Sequence, residues 1–396
     1  MLRLRALLEE SFRAAVAAAD PLRILGAHLP RPPKGRTFVA AAGKAAASMA
    51  LAVEQHFKGE LSGTAITRYG HGMPTRSIRV VEAGHPVPDE AGEAAAREIL
   101  AQAGELGADD LLLALLSGGG SSLLSLPAPG VGMAQLKALT SRLLKSGADI
   151  REMNTVRKHL SAIAGGRLAA ASRGPVLALI ISDVTGDDPT HIASGPCAAD
   201  PTTIEDAKAV LAKYGIEFSG PFSESPKAVR ATNKVVATAY RSLEAAAEVF
   251  QRHGIKPVIL GDTITGEARD VGIEMAQLAR RTPGPAALIS GGECTVTVQW
   301  EGGRGGRCCE FLLSLGIESG GAWAIAADTD GIDGTEDNAG ALLTPDFLQR
   351  AARVSVCAEQ MLAQHDSYGF FSALGDLLIT GPTRTNVNDY RAILIP

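Results

Sequence analysis

Residues 111–124, LLLALLSGGGSSLL, constrain the fold of this chain more than any other stretch. Six apolar residues bounded by polar ones predict a strand that is buried on both faces. Three glycines between serines follow the strand, and glycines let main-chain N–H groups approach a ligand closely. Ligands of open α/β sheets bind beyond the carboxyl ends of the strands, so this stretch predicts an anion-binding loop. A tight turn that needs glycine for a positive φ is the alternative.

The composition excludes several classes of protein. The 396 residues are 46% hydrophobic and 20% charged with a net charge of −5, which is typical of a soluble globular protein of two domains. The negative charge argues against nucleic acid or an anionic membrane as partner. Five cysteines without a C-x-x-C pair fit a reducing cytoplasm rather than a disulfide framework or a zinc site. No apolar run has the ~18 residues of a membrane helix, and a homodimer is left open.

Strands and helices are predicted to alternate after an amphipathic first helix. Apolar runs predict strands at 37–42, 63–67, 77–82, 111–116, 176–182, 234–239, 256–260, 286–290, 322–326 and 377–380. Helices between most of these strands indicate α/β layers with mostly parallel sheets. The stretch SGPFSESP at 219–226 is the best linker by composition. It predicts an N-terminal domain of residues 1–227 and a C-terminal domain of residues 228–396.

Polar or glycine-rich residues follow six of the predicted strands, at 43–44, 117–122, 183, 290–293, 328–330 and 381–386. Six such turns on the ligand-binding edges of their sheets predict a functional site. Asp183 directly follows a buried strand, which favours it as a metal ligand or general base. Asp328 and Asp330 have the carboxylates to hold Mg²⁺ or a substrate hydroxyl. A solvated acidic loop is the alternative for those two residues.

Cations are predicted at the starts of three helices. Lys44 falls in the first turn of one helix, and Arg307 opens another. If Asn154 caps a third helix, Arg157 and Lys158 take its third and fourth positions. A cation is unfavourable at a helix N-terminus by roughly 0.3–1 kcal/mol, so the repetition indicates sites that hold an anion. Long side chains that bend into water are the alternative.

Common nucleotide-binding and catalytic motifs are missing. The pattern G-x-x-x-x-G-K-[ST] fails at Lys44, because Phe38 and Ala45 replace its first glycine and its hydroxyl residue. The pattern G-x-G-x-x-G fails at 118–123 and at 303–308, so a dinucleotide site is not supported. Ser121 lies in no G-x-S-x-G turn, which disfavours a serine hydrolase. Three isolated histidines are interpreted as structural: His85, His159 and His191.

Several longer stretches together resemble one family. They include AAGKAA (41–46), GHPVPDE (84–90), LLSGGGSSLL (115–124), MNTVRKHLSAIAGGRLA (153–169), ISDVTGDDPTHIASGP (181–196), SGGECTV (290–296), GGRGGRCCE (302–310), AADTDGIDGTEDNAGA (326–341) and ITGPTRTNVNDY (379–390). In this order they resemble the glycerate 2-kinases whose C-terminal part is called the MOFRL domain. The chain departs from the family pattern at Cys197, at Cys308-Cys309 and at Arg384.

The resemblance implies transfer of the ATP γ-phosphoryl group to the 2-hydroxyl of D-glycerate, giving 2-phosphoglycerate, with Mg²⁺. It implies two three-layer α/β/α domains with mostly parallel sheets, the first Rossmann-like and the second including the MOFRL region, and an active-site cleft between them. The family's functional lysine and arginine correspond to Lys44 and Arg307. The predicted catalytic residues are Lys44, Arg307 and Asp183, the last also as metal ligand. The predicted phosphate, nucleotide or substrate contacts are Ser117, Gly118, Gly119, Gly120, Ser121, Asn154, Arg157, Lys158, Glu293, Glu310 and Asp328.

In this hypothesis Lys44 and Arg307 bracket the transferring phosphate or the glycerate carboxylate, while main-chain N–H groups of 117–121 hold phosphates. A hydroxypyruvate reductase is the main alternative, because that label is used for relatives of the family. The missing dinucleotide motif argues against it. A non-catalytic sugar-acid or nucleotide sensor is the other alternative, and it would bind without turnover.

Overall fold

The computed structural model describes residues 2–298 and 303–396 and divides the chain into two compact units. One unit is Pro21–Val236, and the other joins Ala237–Pro396 to the N-terminal segment Met1–Asp20. Met1 of the predicted first helix and Gly302 of the predicted GGRGG stretch lie outside the described residues. No helix in the described ranges is long and apolar enough to cross a bilayer.

The chain begins with helix α1 (Leu2–Ala18), which belongs to the second unit. The helices of the first unit are α2 (Pro21–Ile24), α3 (Ala46–His56), α4 (Glu90–Gly104), α5 (Gly120–Leu123), α6 (Met133–Lys145), α7 (Ile150–His159), α8 (Arg167–Ala171) and α9 (Ile204–Lys213), with 3₁₀ turns at Leu25–His28 and Ile192–Ser194. Its strands are β1 (Thr37–Ala42), β2 (Leu61–Arg68), β3 (Ile78–Ala83), β4 (Leu111–Leu116), β5 (Val176–Ile181) and β6 (Ala231–Ala237).

The first unit is built on a six-stranded sheet in the order β3-β2-β1-β4-β5-β6. The pairings from β3 through β5 are all parallel, which confirms the predicted parallel sheet. The six side chains of β4 are buried, as the apolar run at 111–116 predicted. The order reverses between β1 and β4, and doubly wound sheets of this order bind ligands at that switch point. The loops after β1 and β4 are therefore where a site is expected.

The second unit continues with helices α10 (Ala239–Arg252), α11 (Ala268–Arg281), α12 (Arg307–Ser319), α13 (Phe347–Arg353), α14 (Ala358–Ala363) and α15 (Ser367–Leu374). Its strands are β7 (Lys256–Gly261), β8 (Gly266–Glu267), β9 (Ala286–Gly292), β10 (Cys294–Thr295), β11 (Trp323–Asp328), β12 (Gly340–Leu343), β13 (Leu377–Leu378) and β14 (Asp389–Ile395). The two-residue strands β8 and β10 pair with each other.

The main sheet of the second unit has the order β13-β12-β11-β14-β9-β7. Only β7 and β9 are parallel among the pairings of the described strands, and the other four are antiparallel. The α/β class is confirmed, but the expectation of a mostly parallel sheet is wrong for this unit. No helix separates β11 from β12, whereas parallel neighbours need a crossover connection that is usually a helix.

The units differ from the predicted division at 227/228 in two respects. Strand β6 lies beyond the predicted linker but pairs beside β5 in the first sheet, so the first unit extends to Val236. Helix α1 buries Leu8 and Phe12 in a core shared with Phe250 of α10. Burial of apolar side chains drives this packing at about 25 cal/mol per Å². Position in the sequence therefore does not decide to which unit the first helix belongs.

Candidate active site

The loops after β1 and β4 are joined by hydrogen bonds at the switch point of the first sheet. Ser117 N–H donates to the Ala42 carbonyl (3.1 Å), and Lys44 N–H donates to the Gly118 carbonyl (2.8 Å). The Ser117 hydroxyl accepts from the Ala45 N–H (3.0 Å). Lys44 is half-buried and precedes the first residue of α3 by two positions, so the prediction that it lies in the first helical turn is corrected. The structure thus brings Lys44 to the glycine loop.

Two glycines of this loop are required by its geometry. Gly119 has a φ of +80°, a conformation that costs other residues energy. A Cβ added at Gly120 would lie 2.5 Å from the Cβ of Ala193. The tight-turn interpretation is therefore correct for Gly119, and the loop lies at the ligand-binding edge of the sheet.

We expect Gly120→Ala to lower the free energy of unfolding by about 1–3 kcal/mol, the usual cost of overpacking. The added methyl meets Ala193 on the 3₁₀ turn, which cannot move without disturbing Ser194 beside it. Gly104→Ala is the matched control, because a Cβ at that exposed helical position meets nothing within 4 Å. Denaturant unfolding of both variants measures the difference. Equal stability of the two variants would contradict the close packing at Gly120.

Hydroxyl and amide groups surround the start of α5. The Ser194 hydroxyl lies 2.9 Å from the Ser121 hydroxyl and 3.1 Å from Asn154 Oδ1. His85 Nδ1 lies 2.7 Å from the Ser122 hydroxyl. Ser121 and Asn154, predicted separately, are thus brought together through Ser194. The sequence did not single out Ser194 and left His85 as an isolated histidine, although its neighbours GHPVPD form a conspicuous turn.

Helix α7 begins earlier than predicted, and this changes the setting of its cations. Asp149, not Asn154, is the N-cap: its carboxylate accepts from the Glu152 N–H (2.9 Å). Arg157 and Lys158 therefore lie in the last turn, where cations are favourable. The argument that they mark a helix start is wrong.

The two cations of that last turn have different environments. The Lys158 ammonium is buried and paired with Asp200 at 3.2 Å, so its predicted role as a ligand contact is not supported. Arg157 is half-buried, and burial lowers the pKa of its guanidinium. Arg157 therefore keeps its place among the candidate ligand contacts, and Lys158 belongs to the core.

Asp183 is half-buried two residues beyond the end of β5, the strand that pairs with β4. It thus lies on the same sheet edge as the glycine loop. In the described ranges no three His, Cys, Asp or Glu side chains are grouped to hold a metal ion. Mg²⁺ in phosphoryl-transfer sites is held by one or two carboxylates together with substrate phosphates. A single carboxylate beside an anion loop fits that pattern.

In the second unit, Arg307 is surrounded by carboxylates at one edge of the main sheet. Its guanidinium lies 2.8 Å from Asp389 Oδ1, 2.7 Å from Asp328 Oδ2 and 3.2 Å from Glu293 Oε1. Burial opposes its charge, but these carboxylates raise the pKa of Arg307 well above the ordinary value. The side chain is 22% exposed, and Glu293, at 55%, is its exposed partner. The anions that offset this cation at a helix start are the protein's own.

Asp333 occupies the N-terminus of α12. Its two carboxylate oxygens accept from the N–H groups of Cys308 (3.0 Å) and Cys309 (2.9 Å). Burial raises the pKa of Asp333 to about 6, although these two donors oppose the shift. The anion that this helix start was predicted to bind is therefore an internal aspartate.

The raised pKa of Asp333 predicts a pH-dependent stability. A folded-state pKa above the unfolded value means that the folded chain binds the proton more tightly, so stability falls as the pH rises from 4 to 6. We expect the stability of the wild type relative to Asp333→Asn to fall by roughly 3 kcal/mol over this window, at about 1.4 kcal/mol per pKa unit. Denaturant unfolding of both proteins at pH 4 and pH 7 measures it, because their other titrating groups cancel. A difference that does not change with pH would contradict the raised pKa.

Two further acidic residues complete the description of this unit. Asp389, which the sequence did not single out, also pairs with Arg391 at 2.7 Å, and despite burial the two arginines lower its pKa. Glu310 is buried with its carboxylate bonded to Arg269 (2.7 Å) and His365 (3.1 Å). Its predicted role as a ligand contact is corrected, because it links α11 and α12 and has no open face.

Two family models match the chain: a domain of unknown function (DUF4147) over residues 7–248 and the MOFRL family over residues 286–389. The chain is 51% identical to an Agrobacterium vitis protein named "Putative hydroxypyruvate reductase", covering 99% of this chain and 94% of that one. It is 40% identical to the glycerate 2-kinase of Pyrococcus horikoshii, covering 90% and 86%. The crystal structure of a glycerate kinase from Thermotoga maritima superposes with a TM-score of 0.90 at 38% identity over all of both chains.

Proposed function

The chain belongs to the DUF4147 and MOFRL family that includes the glycerate 2-kinases, and on this basis we propose that it transfers the γ-phosphoryl group of ATP to the 2-hydroxyl of D-glycerate. The products are 2-phosphoglycerate and ADP. The observation that carries the proposal is the pair of loops at the switch point of the first sheet. There the main chain of Lys44 is hydrogen-bonded to the glycine loop, whose Gly119 and Ser121 are half-buried, next to the carboxylate-bearing end of β5.

Phosphoryl transfer depends on positioning and charge neutralisation more than on covalent chemistry. The 2-hydroxyl oxygen forms a bond to the γ-phosphorus, the bond to the bridging oxygen of ADP breaks, and the hydroxyl proton is released. The N–H groups of Ser117 and Gly120 donate to carbonyls within the protein, so we assign the N–H groups of Gly118, Gly119 and Ser121 to the phosphates of ATP. The Lys44 ammonium neutralises charge on the transferring group.

Asp183 is the residue that we propose to hold Mg²⁺ or to accept the hydroxyl proton. When bound, Mg²⁺ neutralises charge on the phosphate oxygens. Arg307 is proposed to contact the transferring phosphate through the edge of its guanidinium that exposed Glu293 now occupies. The buried Asp328 and Asp389 hold that guanidinium in one orientation.

The reductase alternative is supported by the names of two relatives from Agrobacterium vitis, both "Putative hydroxypyruvate reductase". It is opposed by the lack of a G-x-G-x-x-G motif at the glycine-rich stretches 118–123 and 303–308. Two incubations separate the alternatives: D-glycerate with ATP and Mg²⁺, and hydroxypyruvate with NADH. We expect ADP to form in the first and NADH to persist in the second. Binding of both substrates without turnover would instead support a sensor.

We further propose a cytoplasmic enzyme, supported by five cysteines that are all free thiols. Self-association into a homodimer stays a prediction, and size-exclusion chromatography with light scattering tests it.

A further inference from the structure

Arg157 is a half-buried cation without a counter-ion among residues 2–298 and 303–396. In the described part of the chain its guanidinium makes no hydrogen bond and no ion pair. Burial alone shifts its pKa downward, and no carboxylate offsets the shift. An arginine carries five donors that require acceptors when water is partly removed. Such a side chain is suited to an anionic ligand.

Three basic side chains near Arg157 have partners within the fold. Lys158 pairs with Asp200 at 3.2 Å, and His159 Nε2 lies 3.2 Å from Glu224. Arg167 donates to the carbonyls of Lys158, Ala164 and Ser223 at 2.7–3.0 Å. Among the residues that the structure describes, these three side chains therefore have partners, whereas the Arg157 guanidinium has none.

Arg157 lies one helical turn after Asn154, which is linked to the glycine loop through Ser194. It follows Asn154 by three residues, so the two side chains are neighbours on one helix face. Long helical side chains lean toward the N-terminus, which brings Arg157 toward the turn that carries Asn154. Asn154 contacts Ser194, which in turn contacts Ser121 at the start of α5. Arg157 thus lies one helical turn from a side chain that is joined by hydrogen bonds to the start of α5, and it is not part of the loop itself.

We propose that Arg157 binds the carboxylate of the hydroxy-acid substrate and so selects acids over neutral polyols. This inference rests on the proposed function and assigns the acceptor end of the same site. A planar guanidinium matches the two oxygens of a carboxylate, and the pair is frequently bidentate. The proposed function assigns the phosphates of ATP to Lys44 and to the N–H groups of Gly118, Gly119 and Ser121. The carboxylate of glycerate is the remaining negatively charged group of the two substrates. The positively charged Arg157 guanidinium is suited to bind it.

The test compares wild type, Arg157→Ala and Arg157→Lys in steady-state kinetics with D-glycerate and with glyceramide, its neutral amide. Arg151→Ala is the matched control, because Arg151 is an exposed arginine on the same helix. For Arg157→Ala we expect the KM for glycerate to rise about 10–100-fold, because the variant loses a charge-assisted hydrogen bond to the carboxylate. The KM for ATP is expected to stay within about twofold. Arg157→Lys keeps the positive charge but loses the planar guanidinium that can bind both carboxylate oxygens. Its KM for glycerate is expected to lie between that of the wild type and that of Arg157→Ala.

The preference for glycerate over glyceramide distinguishes carboxylate binding from a structural effect. We expect the wild type and Arg151→Ala to prefer glycerate strongly, and Arg157→Ala to use the two compounds almost equally. A retained preference in Arg157→Ala, or a rise in the KM for ATP alone, would overturn the inference. If the alanine variant does not fold, unchanged KM and preference in Arg157→Lys would overturn it equally. A wild type that leaves glycerate unphosphorylated would instead refute the proposed function, and the inference with it.

Discussion

Arg307→Ala is expected to lower the free energy of unfolding by about 3–5 kcal/mol, the typical cost of removing one partner from a buried ion pair. The arginine is the shared partner of Asp328 and Asp389, whose side chains are 3% and 0% exposed. Without it, Asp389 retains Arg391, but Asp328 loses the ion pair recorded for its carboxylate. The same variant is expected to lose phosphoryl transfer, because Arg307 is proposed to contact the transferring group.

Stability and catalysis at Arg307 are separated by two companion variants. Arg304→Ala removes a 57% exposed arginine three residues earlier, whose pairing with Glu336 is worth at most about 1 kcal/mol. Arg307→Lys retains the positive charge but cannot reach three carboxylates at once. We expect it to regain part of the stability and little of the activity. Denaturant unfolding measures the stability of each variant, and initial rates measure its activity. Wild-type stability of Arg307→Ala would contradict the ion-pair description of this edge.

Lys44→Ala is expected to lower kcat by about 10²–10³, the usual loss when one group that stabilises transition-state charge is removed. The folded structure should persist, since the bond from Lys44 to the Gly118 carbonyl is made by its main-chain N–H. Affinity for ATP should change less than kcat, because the N–H groups of Gly118, Gly119 and Ser121, which we assign to the phosphates, remain.

Lys34→Ala is the control for Lys44→Ala, because Lys34 is exposed in the loop that precedes β1. It should retain the rate of the wild type. Single-turnover kinetics with saturating ATP isolates the chemical step in both variants. Undiminished turnover of Lys44→Ala would remove the lysine from the mechanism.

The first unit was largely predictable from the sequence, because its signals are local. An unbroken apolar run predicts a fully buried strand, and β4 has the predicted bounds. Glycine and polar residues mark strand ends, so the loops at Lys44 and at 117–122 were found. The contact between those loops follows from the strand order, because β1 and β4 are neighbours in the sheet.

The features that the sequence did not predict depend on contacts between residues that are distant in the sequence. Strand β14, between β11 and β9, was not predicted, although it carries Asp389. The partners of Arg307 come from positions 293, 328 and 389, and no local pattern indicates such a set. The start of α7 was recognisable: Asp149 and Glu152 have the spacing of a capping box, and choosing Asn154 as the cap misplaced Arg157 and Lys158.

The identity of the phosphorylated product tests the central claim most directly. The wild-type protein is incubated with D-glycerate, ATP and Mg²⁺, and the product is examined by ³¹P NMR with proton coupling. We predict conversion of ATP to ADP and one new phosphomonoester signal split by a single proton, since the phosphate is on the secondary 2-hydroxyl. No new phosphomonoester signal, or one coupled to two protons as in 3-phosphoglycerate, would contradict the account.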